Sequence, residues 1–419
     1  MRLVVFSSKT CWKSSASPSG YATDGGFPAQ MGALSELFDA TTLVLPCAPG
    51  GSRPGETVLT GSNLTVTPLR PLPGSGWRRK TSFPWWTIRS LSVIRREFQR
   101  ADAVHAPIPG DVGTIGMLLA LAARKPLLVR YCNNWFVTRT LAQRFWKWAM
   151  VRTAGGRNVM FATGGADEAP SARNPEVRWI FATSLHEREI AASARPRDHL
   201  PGAHPRLILV GRQESGKGTD ILIESLPEIA RRFPGVTLDV LGAGSALSGF
   251  ERLASDAGVR DRVKFWGNVD RSTVVRLLQA ADLFCFPTAS EGFPKVVVEA
   301  LACGLPVLTT RVSVLPRLLS RGAGIVLDEL STATLADGVR RCLSDEAAYR
   351  AMSARAIEIS RDYSLERWKK TLEGSLSAAW GPLRSEPRSG FEGEPGPPRA
   401  TGPDSVGNGS AIRQTGTLL

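Results

Sequence analysis

The sequence predicts an α/β protein in two halves, each built around a parallel sheet. Three stretches carry this expectation. Leu207-Ile-Leu-Val210 leads into a glycine-bearing turn, Gly211 to Gly218, and then into a helical pattern from Asp220 to Phe233. The apolar run Ala281 to Phe286 closes on Pro287 and is followed by a loop, a short helix and the strand Val307 to Thr310. The first half opens in the same way, with the strand Leu3 to Ser7, a long polar loop ending Gly25-Gly26-Phe-Pro28, and a helix to about Phe38. Strands alternating with helices imply crossover connections and hence parallel pairing.

The remaining elements follow in order. Thr42 to Leu45 is the next strand, and the Pro- and Gly-rich span Cys47 to Gly76 reads as irregular. Val104 to Pro107 and Pro126 to Arg130 read as later strand ends, and Asn158 to Thr163 as a further short strand. The Pro-, Arg- and His-containing stretch 195–205 reads as a hinge, which divides the chain into a first domain 1–194 and a second domain 206–363. Leu365 to Trp380 is amphipathic and forms a terminal helix within 364–381. Residues 382–419 are dominated by Pro, Gly, Ser and Arg and are expected to be disordered. No internal repeat is present.

Composition narrows the class. At 419 residues, 42% of them hydrophobic, the chain is long enough for two globular domains. No apolar run approaches the roughly 20 residues of a spanning helix. Met1 to Phe6 enters a strand directly and is too short for a signal-peptide core. The six cysteines form no C-x-x-C pair, and only four histidines occur, which argues against a disulfide framework and a structural zinc site. These features fit a reducing cytoplasm.

The formal charge of +14 asks for an anionic partner, whether nucleic acid, membrane or a phosphorylated ligand. No zinc-finger, helix-turn-helix or RNA-binding signature accompanies it, so no nucleic acid is expected. From Arg70 to Arg100 eight basic residues face one acid, Glu97, with Trp77, Phe83, Trp85, Trp86 and Phe98 interleaved. A second cluster, Arg139 to Arg157, contains Phe145, Trp146 and Trp148. Such a mixture suits the inner face of an anionic membrane, with Trp77, Trp85 and Trp86 at headgroup depth. It equally suits a helix pair with aromatics in the core and arginines in water.

Glu291-Gly-Phe-Pro-Lys-Val-Val-Val-Glu299 is the most informative segment. Pro294 suits the first helical position, where the missing N–H is harmless, and Gly304 suits the helix end. Ligands of open parallel sheets bind beyond the carboxyl ends of the strands. A loop Glu291 and an early-helix Glu299 are therefore expected to face one cleft. A carboxylate accepts two hydroxyl hydrogen bonds and suits a diol, while a helix N-terminus favours phosphate. Alone, the pair also fits a first-turn glutamate answering the helix dipole beside a solvated loop glutamate. Arg212 and Lys217, leaving the other strand end, can clamp a diphosphate. Gly25 and Gly26 let backbone N–H groups approach a phosphate, or form a plain loop-to-helix junction.

These motifs, with Val240-Leu-Gly242-Ala-Gly244, Val263-Lys-Phe-Trp-Gly267-Asn-Val269, Ala281-Asp282, Pro287-Thr288, Glu299-Ala300 and Cys303-Gly304-Leu-Pro306-Val307, resemble glycosyltransferase family 4. They run in family order over roughly residues 205 to 330. The resemblance implies the GT-B fold, two Rossmann-like domains facing across a cleft, with the C-terminal helix crossing back to the first domain. It implies retaining transfer from a UDP- or GDP-linked sugar to a saccharide or lipid-linked acceptor, in bacterial polysaccharide or glycolipid assembly. No metal or other cofactor is implied. Arg212 and Lys217 would stabilise the leaving diphosphate, and Glu299 would hold the ribose. Glu291, with the backbone of Gly292, Phe293 and Pro294, would hold the donor sugar, beside Gly211, Gly25 and Gly26. The resemblance names no base and no enzyme nucleophile; front-face attack by the acceptor hydroxyl is the usual proposal.

The segment Arg130-Tyr131-Cys132-Asn133 departs from the family, which often has a histidine there. Arg130 or Asn133 would take over its polar contact with the acceptor, and His105, at another strand end, is a further candidate. A nicotinamide-dependent oxidoreductase is the competing class, resting on Gly242-Ala-Gly244, but position 247 is Leu where a dinucleotide fingerprint needs glycine. A non-catalytic protein binding membrane or nucleic acid on the same scaffold is the other alternative.

Overall fold

A computed structural model describes residues 1–53, 56–72, 76–138, 140–163, 168–181 and 183–385, with only the backbone of 76–80. Seven strands pair in parallel in the order Val177–Trp179, Asn158–Ala162, Leu127–Tyr131, Ala103–Ile108, Arg2–Phe6, Ala40–Pro46 and Leu64–Leu69. Six more form a second parallel sheet, Val263–Gly267, Thr237–Leu241, Arg206–Val210, Leu283–Phe286, Val307–Thr310 and Gly324–Leu327. In each sheet the order reverses beside the first strand in sequence, Arg2–Phe6 and Arg206–Val210. The loops leaving those strands carry the glycine turns at 25–26 and 211–218. Helices cover both faces, so the central strands are largely apolar, as parallel sheets favour, with His105, Arg130 and Asp239 as buried exceptions.

Two expectations about loops are corrected. Leu64–Leu69 is a strand inside the span expected to be irregular. It lies at the sheet edge, where Pro68 needs no ladder N–H. The expected polar loop before Gly25 contains two short strands, Trp12–Lys13 and Tyr21–Thr23, which pair antiparallel and are joined by Thr57–Val58. The helix of the second half begins at Lys295, one residue after the expected Pro294. Lys295 N–H donates to the Phe293 carbonyl at 3.0 Å, and Pro294 at φ −80°, ψ 85° sits in that inverse γ-turn, outside the helix.

The segment 195–205 contains no helix or strand, yet it is anchored on the second half. The Arg197 guanidinium donates to the carbonyls of Leu278, Gln279, Ala281 and Cys303. Met1–Ser385 forms one compact unit, which includes the first residues of the expected disordered tail. Leu383 is buried with the first-sheet core, and Ser385 N–H donates to the Asp39 carboxylate at 2.9 Å. Tail residues 386–419 lie outside the described residues.

The long helix Gly76–Arg100 packs on the same sheet face as Asp111–Ala123 and Leu141–Thr153. It buries Trp86, Ile94 and Phe98 and turns Trp85, Ile88 and Leu91 outward. Trp86 is therefore core, not surface: its indole N–H donates to the Arg70 carbonyl at 2.6 Å. The side chains of Trp77, Arg78, Arg79 and Lys80 lie outside the described residues.

The terminal helix spans Leu365–Trp380, capped by the Ser364 side chain. Leu365, Trp368, Leu372 and Leu376 form one stripe and bury it among Leu3, Val5, Leu34 and Phe161 of the first half. The helix thus crosses back. Leu376→Ala should cost about 2–5 kcal/mol through the cavity it leaves. Lys370→Ala, exposed on the same helix, should change stability by less than about 0.5 kcal/mol. Urea unfolding of the two variants checks this; equal midpoints would contradict the packing role.

Candidate active site at the seam between the two sheets

The Gly211–Gly218 loop is built for close approach. Gly216 and Gly218 have φ of 81° and 82°, the left-handed region that favours glycine. A side chain at Gly218 would collide with the Pro287 carbonyl. Buried Gln213 fixes the loop, donating to the Gly211 and Leu241 carbonyls at 2.8 and 3.0 Å and accepting from Thr219 Oγ1 at 2.7 Å. This packing delivers Lys217 onto the next loop. Its Nζ lies 2.5 Å from Glu291 Oε1 and 3.2 Å from the Ser290 carbonyl. Arg212 does not join them: its side chain is 74% exposed and pairs with Glu214 at 3.5 Å.

The Glu291–Pro294 loop is held by its neighbours through its carbonyls and one aromatic ring. Ser313 Oγ donates to the Gly292 carbonyl, and Asn134 Nδ2 donates to the Glu291 carbonyl at 3.0 Å from the first half. The Phe293 ring stacks on Phe181 at 5.4 Å and packs against Tyr363 at 5.8 Å. Phe293 is thus an anchor through its side chain. Asn133, beside Asn134, is exposed on the opposing loop.

A cavity of about 440 Å³ opens where the two halves meet. Gly25, Gly26 and Ser184 line one side, and Arg271, Lys295, Val296 and Glu299 the other. Gly25 has φ 68° and needs glycine for its turn. Gly26 needs it for space: a Cβ there would lie 2.5 Å from Ser184 Oγ and 2.8 Å from Lys295 Nζ. Burial raises the Glu299 carboxyl above its ordinary range, opposed by Arg271 and Lys295. Lys295 is lowered to about 8, first by burial and then by Arg130.

Of the acceptor candidates, Arg130 is 7% exposed. Its guanidinium donates to Gln30 Oε1 at 3.0 Å and lies 5.6 Å from the Trp368 ring centroid. His105 is corrected. It is 1% exposed within the sheet, and its Nδ1 meets the Leu128 carbonyl at 3.1 Å. Burial, then Arg130, lowers it to about 3, so it stays neutral and presents nothing to the cleft.

Residues 193–359 match the family model for glycosyl transferases group 1. That segment belongs to this family. It is 34% identical over 195 residues to a D-inositol 3-phosphate glycosyltransferase of Nocardia farcinica, covering 45% of this chain and 43% of the relative. A GDP-mannose-dependent alpha-(1-6)-phosphatidylinositol monomannoside mannosyltransferase of Mycolicibacterium smegmatis is 31% identical over 196 residues, 45% of this chain and 50% of that protein. The chain thus spans half or less of the length of these two relatives. The crystal structure of Anabaena Alr3699/HepE in complex with UDP and glucose superimposes with a TM-score of 0.63 at 17% identity, covering 90% of this chain and 100% of that one. At that identity it shows the fold alone, which is GT-B.

The glycosyltransferase segment contains the glycines on which the nicotinamide alternative rested, and the geometry assigns them to packing. Side chains at Gly242 and Gly244 would collide with the carbonyls of Gly211 and Gln213. The turn is filled by the neighbouring loop.

Lys295 and Asn134 were missed by sequence reasoning. A signal for Lys295 was present: a lysine in the first turn of a helix opposes its dipole. Asn134 gave none, since its partner is 157 positions away.

His105 makes stability depend on pH. Its folded value, about 3, lies below the ordinary 6.5, so the unfolded chain binds the proton more tightly. The contribution is complete above about pH 6.5 and is lost as pH falls towards 3. Between about pH 7 and about pH 5 the loss should be about 2 kcal/mol. His105→Asn should flatten that part of a denaturation profile; an unchanged slope would refute the assignment.

Proposed function

We propose that the protein transfers a sugar, with retention, from a nucleotide sugar to a saccharide or lipid-linked acceptor. The observation that carries this is the seam cavity, which places the Glu299 carboxylate and the Gly25–Gly26 turn in one enclosure. Glu299 suits a ribose diol, and the glycine turn together with nearby cations suits a diphosphate. The Lys217–Glu291 pair stands on the adjoining loops, where Glu291 with the backbone of Gly292 and Phe293 would hold the donor sugar. Charge developing on the leaving diphosphate is stabilised by fixed cations and helix N-termini. The relatives, one a GDP-mannose-dependent mannosyltransferase and both named for inositol-containing acceptors, support the substrate class. The reaction needs no metal in this reading.

Nucleotide-dependent stabilisation tests this. UDP or GDP at a hundredfold excess over Kd should add about 2.7 kcal/mol, while NAD(P) adds nothing. The reverse pattern would favour the oxidoreductase reading. Lys217→Ala should lower turnover by about 10²–10³ without loss of fold. Activity should survive chelation, and strict dependence on Mg²⁺ or Mn²⁺ would count against the proposal.

We further propose that the first half docks on an anionic membrane. No helix among the described residues is long and apolar enough to cross one. One face of the first half exposes Trp85 and Ile88 from one helix and Leu141 and Trp148 from another, at 60, 65, 81 and 62% exposure. Arg89, Arg95, Arg96, Arg144 and Arg152 accompany them on the same helices. Each basic residue near an anionic surface contributes about 1 kcal/mol. Co-sedimentation with phosphatidylserine vesicles should fall sharply for the combined Trp85→Ser, Ile88→Ser, Leu141→Ser and Trp148→Ser variant. Equal binding by this variant and the wild type would sink the idea.

A further inference from the structure

The cations of the seam are not equally available. Lys217 is held by Glu291, Arg212 by Glu214, Arg271 by Glu189 and Lys9 by Asp24. Lys295 and Arg130 differ. Among the described residues neither joins an ion pair, and Lys295 Nζ makes no hydrogen bond. Arg130 has one hydrogen-bonded partner, Gln30, and its buried Nε has none. An uncompensated cation recessed in protein is costly unless an anion completes it. Lys295 also stands at the start of its helix, where the dipole disfavours positive charge. Its ammonium lies against Gly26, the residue that starts the helix Phe27–Ser35, at the wall of the seam cavity. One unpaired cation thus stands against the glycine turn, and a second, Arg130, lies within electrostatic reach of it.

We infer that Lys295 is the cation that grips the donor diphosphate at the Gly25–Gly26 turn, with Arg130 behind it as a positioning charge. This rests on the nucleotide-sugar reading above. It adds to the Lys217 and Arg212 loops, whose cations already have carboxylate partners, a wall whose cation has none. Glu299 lies one turn further along the same helix, lines the same cavity and, among the described residues, joins no ion pair. It therefore remains available to a neutral diol.

Calorimetric titration of the full chain with UDP, GDP, uridine and guanosine tests the assignment. Lys295→Met should weaken the nucleoside diphosphate that binds wild type by about tenfold or more, and the bare nucleoside by less than about twofold. Lys295→Arg should recover most of the loss. Lys295→Met should also melt at or above the wild-type temperature, because it removes an unpaired buried charge. The pH profile adds a signature. The groups acting on Lys295 are Arg130 and Cys132 from the first sheet and its following loop, Lys9 from the loop after the first strand, and Glu299 from its own helix. Lys295, lowered to about 8, loses its proton as pH rises through that value. The terminal phosphate, with a second pKa of about 6, stays ionised. Diphosphate affinity should therefore fall between about pH 7 and about pH 9 in wild type, but not in Lys295→Arg.

Equal weakening of nucleoside and diphosphate by Lys295→Met, or wild-type diphosphate affinity in that variant, would overturn the inference. So would a melting temperature well below wild type that Lys295→Arg restores without restoring diphosphate affinity. If wild type binds neither UDP nor GDP, the nucleotide-sugar reading fails first and the inference falls with it.

Discussion

The contact between the Gly25–Gly26 turn and the helix Lys295–Ala302 governs the seam. A Cβ at position 26 has no room between Ser184 and Lys295. The turn starts the helix Phe27–Ser35, and that helix packs against the terminal helix Leu365–Trp380. The terminal helix follows directly on the last helix of the second half, Glu346–Arg361. The chain therefore closes a mechanical circuit, from the turn through two helices to the second half and back to Lys295. The cavity between the sheets inherits its shape from that circuit, and Glu299 reaches it from the same helix that carries the contact.

Elements defined by local chemistry could be read from the residues. Val307–Thr310 and Leu365–Trp380 stand where apolar pattern and Pro or Gly punctuation put them. Leu64–Leu69 was missed because its only sheet partner is the distant strand Ala40–Pro46, and an edge strand containing proline looks like loop. Residues 382–385 were misread because burial of Leu383 depends on a core assembled from the other end of the chain. Within the site, side-chain chemistry was readable but pairing was not. Lys217 and Glu291 were assigned separate duties, yet they meet across 74 positions. His105 was read as a strand-end residue facing a ligand. It lies inside the strand Ala103–Ile108, buried and turned onto the Leu128 carbonyl of the neighbouring strand.

Positive charge serves two purposes that sequence counting merges. Most described arginines are solvated or answered by a nearby carboxylate, and such pairs contribute little to stability. Arg130 is different, since it is enclosed by Gln30, Trp368 and the first sheet. A similar division runs through the helix Gly76–Arg100, where adjacent Trp85 and Trp86 face water and core respectively. One hundred degrees of helix rotation separates a surface of 60% exposure from one of 4%. Composition alone has no access to that angle.

The crossing of the terminal helix has a consequence for synthesis. Domains generally fold as units, the N-terminal one first as the chain emerges. Here the first half lacks part of one core face until Leu365, Trp368, Leu372 and Leu376 have been made. The second half, whose sheet ends at Leu327, is complete earlier in that sense than the half translated before it. Order of translation and order of core closure are therefore inverted. A nascent chain that had emerged only as far as about residue 360 would display a finished second sheet beside a first sheet with an uncovered apolar face, and that exposed face is what a chaperone would meet.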